Sequence, residues 1–370
     1  MKNPFRPNFG LSPTELAGRE QLTSEFDLAL AEGIGSPLRT TLISGVRGSG
    51  KTVLLNEFEN IAASNGWVVI RAYPDRAMIS DLIEVTIPRA LSALDSHPIP
   101  PRRKITGATV AGVGIRTEVV DTPTPRATLI TALRELVAAA EEHDAGVFIT
   151  LDEIQSADTD DLASLATALQ DLVRDEREIA LAAAGLPEGI HAMLNHRGTT
   201  FLRRAEHVVL TPLSDEAVAR AVRTTVEDHG RQITTEALDD VVTLVKGYPY
   251  LLQVVGSLAW ARATRTESLT IESAHVHDIA EVAIQRMYSH VHAPALHHIS
   301  PSQFEFLKAM AACSTPVRVA EIASELKTTT TALSMRRRAL LDAGLIHAPR
   351  HGVLEFSLPY LRERILEEED

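Results

Sequence analysis

Residues 45–52 read GVRGSGKT, and glycines at this spacing before a lysine and a hydroxyl residue are suited to wrapping a polyphosphate. Gly45, Gly48 and Gly50 can take backbone angles that a side chain would forbid, so successive N–H groups can turn inward as an anion nest. The run KTVLLNEFENIAAS that follows reads as a helix, which sets the nest at a helix N-terminus, where the dipole favours negative charge. The expected cradle is Gly45, Val46, Arg47, Gly48, Ser49, Gly50, Lys51, Thr52 and Val53. Lys51 would reach the β- and γ-phosphates, and Thr52 would offer its hydroxyl to Mg²⁺. The spacing G-x-x-x-x-G-K-T is the Walker A pattern. A chance glycine-rich turn would lack the strand-like TTLIS before it and the amphipathic run after it.

The second candidate is GVFITLDEIQ, residues 146–155, an apolar run of a buried parallel strand ending in two carboxylates. Alone, Asp152-Glu153 would read as a charge pair at a helix start. After an apolar strand and about a hundred residues beyond the glycine loop, it reads as chemistry. Asp152 would hold Mg²⁺ through its water shell beside Thr52. Glu153, on the other face of the strand, would orient or deprotonate a water at the γ-phosphate. Together the motifs point to hydrolysis of a nucleoside triphosphate, and without an N-K-x-D guanine-reading motif the nucleotide expected is ATP. Arg203 and Arg204, before the fifth strand, are candidates for an arginine finger, an effect worth roughly 10³ to 10⁵ in rate, delivered across a subunit boundary of a homo-oligomer. The alternative is two solvated surface arginines. In KGYPYLLQ, residues 246–253, Tyr248 and Pro249 would form a turn over the adenine, or else an ordinary loop with Gly247 as C-cap and Pro249 opening the next helix.

Positioning these groups needs a parallel sheet. Strands are expected at 39–45, 67–73, 146–153, 178–185 and 205–213, with helices between them. That alternation gives an α/β sandwich with a five-stranded parallel sheet, and ligands in such sheets bind beyond the carboxyl ends of the strands. Residues 1–213 form this core, with a proline- and glycine-bounded β-hairpin insertion at about 98–120. Residues 214–293 read as an all-helical lid, with Ser214 and Thr270 at N-cap positions. Residues 291–300, with His290, His292, His297 and His298 crowded around them, read as a solvated linker rather than a metal site.

Residues 299–370 read as helix, helix-turn-helix and a two-stranded hairpin, a winged-helix pattern. On a helical wheel Ala332, Leu333, Ala339 and Leu340 share one side, while Thr330, Ser334, Arg337 and Arg338 lie opposite or flanking and Arg336 falls within the apolar arc. With Arg350 in the wing, these residues would contact double-stranded DNA. The chain as a whole does not attract DNA, because its net charge is −13, so any such contact is local.

Residues 14–290 resemble an AAA+ or STAND-type P-loop ATPase. LAGRE, residues 16–20, resembles the family's segment before strand 1 that contacts adenine, which implies roles for Gly18 and Arg19. GVRGSGKT is similar to its Walker A, FITLDE to its Walker B and GYP to the turn of the STAND and archaeal-type ATPases. The resemblance implies a P-loop core, helical lid and winged helix like those of initiator ATPases, with ATP, ADP and Mg²⁺ as ligands. Strand 4 ends in LAAAG without the polar residue usual there, which implies slow hydrolysis. Two functions follow: an ATPase that couples nucleotide state to a DNA-binding winged helix, or a nucleotide-gated signalling switch whose winged helix is an internal lock or protein-interaction module. The single cysteine, Cys313, excludes an intramolecular disulfide and reads as core filler. With no apolar leader or membrane-length run, a cytoplasmic protein without a membrane partner is expected.

Overall fold

The computed structural model describes residues 2–8, 10–96 and 128–367. The hairpin expected at 98–120 lies outside them. Helix α1 (Glu20–Ala31) leads into β1 (Thr40–Ser44), and the glycine loop connects β1 to α2 (Lys51–Ser64). After β2 (Val68–Ala72) come helical segments through Ser96. Next are α3 (Leu129–Glu141), β3 (Val147–Leu151), α4 (Thr159–Arg174), β4 (Ile179–Gly185), α5 (Pro187–Asn195) and β5 (Glu206–Val209). The five strands are parallel in the order β2-β3-β4-β1-β5.

Burial on both faces explains the composition of the central strands. Every residue of β3 and β4 is buried. Ala180, Ala182 and Ala184 face a cluster with Phe26, Phe58 and Phe148, while Leu181 and Ala183 face the opposite cluster with Ile149 and Leu42. Phe26 and Phe58 stack at 4.0 Å between ring centroids, which locks α1 to α2. Alanines along β4 leave room for these rings. β5 is shorter than expected and largely exposed, as befits an edge strand.

The segment expected as a lid contains α6 (Asp215–Glu227), β6 (Gln232–Ile233), α7 (Thr235–Val245), α8 (Pro249–Arg265), β7 (Thr270–Ile271) and α9 (Ala280–Met287). Ser214 caps α6 through its side chain, as expected, and Thr234 caps α7. The expectation of an all-helical lid misses the short parallel pairing of β6 with β7. Thr270 lies in that pairing, and the cap of the helix at Ser273–His277 is Glu272.

The solvated linker expected at 291–300 is corrected in its first half, while His297 and His298 are exposed. Residues Tyr288–His292 form a π-helical turn continued by a helix at Ala293–Leu296. His292 is 1% exposed, and its Nε2 lies 2.9 Å from the carbonyl of Pro359, to which it can donate. Beyond this lie α10 (Pro301–Ala312), β8 (Val317–Arg318), α11 (Val319–Glu325), α12 (Ser334–Asp342), β9 (Ile346–Arg350), β10 (Val353–Phe356) and α13 (Leu361–Glu367). The three strands form an antiparallel sheet in the order β8-β10-β9. One apolar cluster runs from the lid into this segment, joining Trp260 and Val291 to Phe306 and Leu361. Cys313 caps α10 and is half-buried. No helix among the described residues is long and apolar enough to cross a membrane.

Candidate active site

The glycine loop leaves β1 at Ser44 and enters α2 at Lys51. Gly48 and Gly50 both have left-handed backbones, at φ +72° and +95°. A Cβ on Gly48 would come within 2.5 Å of the Tyr248 hydroxyl, so glycine is required there twice over. Lys51 is 5% exposed, and its Nζ donates to the carbonyls of Gly45 at 3.0 Å and Val46 at 3.1 Å. Burial lowers the Lys51 pKa; the Glu153 and Asp152 carboxylates oppose the shift and Arg47 adds to it. The Ser49 hydroxyl is buried without a hydrogen-bond partner. A buried donor without a partner, beside an ammonium held only by loop carbonyls, fits a site for phosphate oxygens.

Thr52 Oγ1 donates to Asp152 Oδ2 at 2.5 Å, and the Glu153 N–H donates to Asp152 Oδ1 at 2.8 Å. The acidic pair is arranged differently from the expected alternation along a strand. β3 ends at Leu151, and Glu153 takes a left-handed backbone at φ +52°. The turn, rather than the pleat, separates the two carboxylates: Asp152 is tied to Thr52, and Glu153 lines the adjoining cavity. Thr52, with Asp152 behind it, is a suitable oxygen set for Mg²⁺.

That cavity, of about 400 Å³, is lined by Arg47–Val53, Glu153, Pro249, Tyr250 and His290. Tyr250 Oη and His290 Nδ1 are 2.8 Å apart. Burial raises the Tyr250 pKa, with Arg286 opposing. Gly45 and Val46 lie behind the cavity wall, where their carbonyls hold Lys51. Tyr248 does not line the cavity. It is buried under the loop, where its hydroxyl donates to the Arg47 carbonyl. Arg19 does line the cavity, and its guanidinium donates to the Thr211 carbonyl at 2.7 Å. Burial lowers its pKa, with Glu20 opposing. Gly18, at φ +64°, turns the chain just before it.

Arg203 and Arg204 are exposed in a 3-10 turn before β5 and do not line the cavity. Arg203 Nε donates to the Leu194 carbonyl at 2.9 Å. In the C-terminal segment Thr330, Ser334, Arg338 and Arg350 are exposed, but Arg337 is half-buried, contrary to the helical wheel. Arg337 lies one turn from the buried Leu340, about 60° away on the wheel, so it flanks the apolar side rather than opposing it. Arg338 pairs with Asp342 at 3.0 Å.

Sequence reasoning missed one wall of the cavity, formed by the N-terminal segment. Asn3 Nδ2 donates to the Ser257 carbonyl at 3.0 Å, the Arg6 N–H donates to Gln253 Oε1 at 2.9 Å, and Phe5 packs on Gly256 of α8. Asn56 Nδ2 reaches the Gly10 carbonyl at 3.3 Å. The segment thereby straps the lid to α2. A glycine inside an otherwise good helix, Gly256, was the available signal, because such a residue usually marks close packing.

Residues 15–181 match the AAA ATPase domain family, and residues 289–365 match a Domain of unknown function (DUF8462). No curated protein sequence matches the chain. Among solved structures, a Walker-type ATPase of Pyrococcus abyssi superposes with a TM-score of 0.65 at 16% identity, covering 95% of this chain and 96% of that one. The ORC2 protein of Aeropyrum pernix, solved as ADPNP–ADP complexes, gives 0.60 at 15% identity over 98% and 95%. Cdc6p of Pyrobaculum aerophilum gives 0.51 at 15% identity over 98% and 97%. Residues 15–181 thus match an AAA ATPase domain, in a chain that shares the P-loop NTPase fold of these archaeal proteins.

Proposed function

We propose that the chain binds and hydrolyses MgATP and uses its nucleotide state to control the C-terminal segment, read as a winged helix. The observation that carries this is the meeting of Lys51, Thr52 and Glu153 at one cavity at the carboxyl ends of β1 and β3, with Asp152 bonded to Thr52 behind it. The loop amides and Lys51 hold the phosphates. Thr52 and Asp152 hold Mg²⁺, which when bound neutralises charge on the β- and γ-phosphates. Glu153 accepts the proton of the attacking water. Pro249, Tyr250, His290, Arg19 and the N-terminal strap enclose the base. Arg203 or Arg204 acts from a neighbouring copy, since neither lines the cavity of its own chain.

Two readings of the output differ by one observation. Exposed Ser334, Arg338 and Arg350 favour contact with double-stranded DNA. A Cβ on Gly344, just after α12, would come within 3.2 Å of Val46 in the glycine loop, and α12 packs on α5. That contact favours a nucleotide-gated lock, in which the C-terminal segment rests on the loop and leaves it when the phosphates change. The core, lid and winged-helix boundaries at 213, 293 and 299 are part of this proposal.

The test is ATP turnover by the full chain with Mg²⁺. Wild type should release phosphate, and Glu153→Gln should bind ATP but turn it over at least about a hundredfold more slowly. Normal turnover by Glu153→Gln would remove the base assignment.

A further inference from the structure

We infer that Gln155 is the positioning residue for the Glu153 carboxylate. This deepens the proposed function and rests on the assignment of Glu153 as the base. Gln155 is two residues beyond Glu153 in the turn that follows β3. Its Nε2 donates to Glu153 Oε2, and its Oε1 accepts the Leu186 N–H at 3.0 Å. The second bond decides the amide orientation. A backbone N–H can only donate, so the oxygen must face Leu186, which leaves the NH₂ for the carboxylate. One side chain therefore joins the acidic turn to the chain leaving β4.

The space around Gln155 is made by glycines. A Cβ on Gly185, the last residue of β4, would come within 2.8 Å of Gln155 Oε1 and would also strike Ile154. A Cβ on Gly189, in α5, would come within 2.7 Å of Gln155 Cβ and 3.1 Å of its backbone. Strand β4 thus ends without a side chain of its own, and Gln155 occupies that place. Leu186 is the N-cap of α5 without a side-chain cap, and Pro187 follows it. Gln155 supplies the acceptor for an N–H at that helix start.

The chemistry follows from which lone pairs remain. A carboxylate on an exposed turn samples many rotamers. Holding Oε2 by an amide leaves Oε1 directed and available to accept a proton. Gln155 touches neither the reacting water nor phosphate. It acts only through Glu153, and its loss releases the base without removing it. A misplaced base costs rate with little effect on binding.

The experiment measures kcat, KM, ATP affinity and melting temperature for the full chain carrying Gln155→Ala, Gln155→Glu, or Gln155→Ala with Glu153→Gln. Gln155→Ala should lower kcat about tenfold or more, while KM, ATP affinity and melting temperature stay near wild type. Gln155→Glu keeps the length and the acceptor for Leu186 but removes the donor, so it should be at least as slow. On the Glu153→Gln background Gln155→Ala should slow turnover no further, because the two act as a unit. Wild-type kcat in Gln155→Ala, or rescue by Gln155→Glu, would overturn the inference. So would a fall in kcat matched by lost ATP affinity or melting temperature, which would give Gln155 only a packing role. Wild type that binds ATP without turning it over would overturn the proposed hydrolysis as well, so the two failures are distinguishable.

Discussion

The Tyr248 hydroxyl donates to the carbonyl of Arg47, fastening the start of α8 beneath the glycine loop across 201 residues of sequence. Burial raises the Tyr248 pKa far above the ordinary phenol range, with Tyr250 adding and Arg47 opposing, so the hydroxyl stays a donor throughout the working pH range. The lid therefore holds the loop through a main-chain oxygen, whatever the residue at position 47.

Tyr248→Phe should loosen this joint. It removes the donor to a part-buried carbonyl, a loss of about 1 kcal/mol. ATP affinity measured by calorimetry should fall severalfold. Unchanged affinity and melting temperature would show that the lid does not hold the loop.

The N-terminal strap predicts a kinetic effect. Phe5 is 4% exposed against Gly256, so Phe5→Ala deletes the anchor of one cavity wall. The dissociation rate of bound ADP, followed by displacement of a fluorescent analogue, should rise. A rate equal to wild type would mean that the strap does not retain nucleotide.

His292 predicts a pH dependence. Burial holds its pKa at about 4, below the ordinary 6.5; the bond to the Pro359 carbonyl and Glu363 oppose the shift, and Arg364 adds to it. A lowered pKa in a cationic acid favours the neutral form in the folded chain. Its stabilising effect is complete above about pH 6.5 and is lost as pH falls towards about 4, amounting to about 3 kcal/mol at most. Melting temperature should drop across that window. His292→Gln, which keeps a donor for Pro359 but cannot titrate, should flatten the drop. An equal drop in both proteins would assign it to other groups.

DNA binding predicts a salt dependence. If the exposed Arg338 and Arg350 meet phosphates, the slope of log affinity against log salt should shallow by about 2 when both become alanine. Absence of duplex binding at low salt, with and without ATP, would favour the lock reading.

The placement of the candidate site was legible because its signals are local. The loop, its flanking strand and helix, and the acidic strand end each lie within one short segment, so spacing alone was informative. The walls were legible only in part, at Arg19 and Pro249. His292 read as solvated because histidine usually is, and its bond to the Pro359 carbonyl joins it to a residue far along the chain; His290 is exposed as expected but meets Tyr250 across the cavity. Gln155 stands in plain view in DEIQ, but its partner Leu186 is 31 residues away. Arg337 sits at the edge of the apolar face beside Leu340, where the wheel alone does not say how far the neighbouring segment covers it.

The central claim is that the amides of the glycine loop and Lys51 grip a triphosphate. The most direct measurement is calorimetric titration of the full chain with ATP and Mg²⁺, wild type beside Lys51→Ala. The account predicts saturable one-site binding by wild type and an affinity at least about tenfold weaker in Lys51→Ala, since a charge-assisted contact in a buried site is worth well over 1 kcal/mol. No heat of binding from folded wild-type protein, or equal affinity in the two proteins, would contradict it.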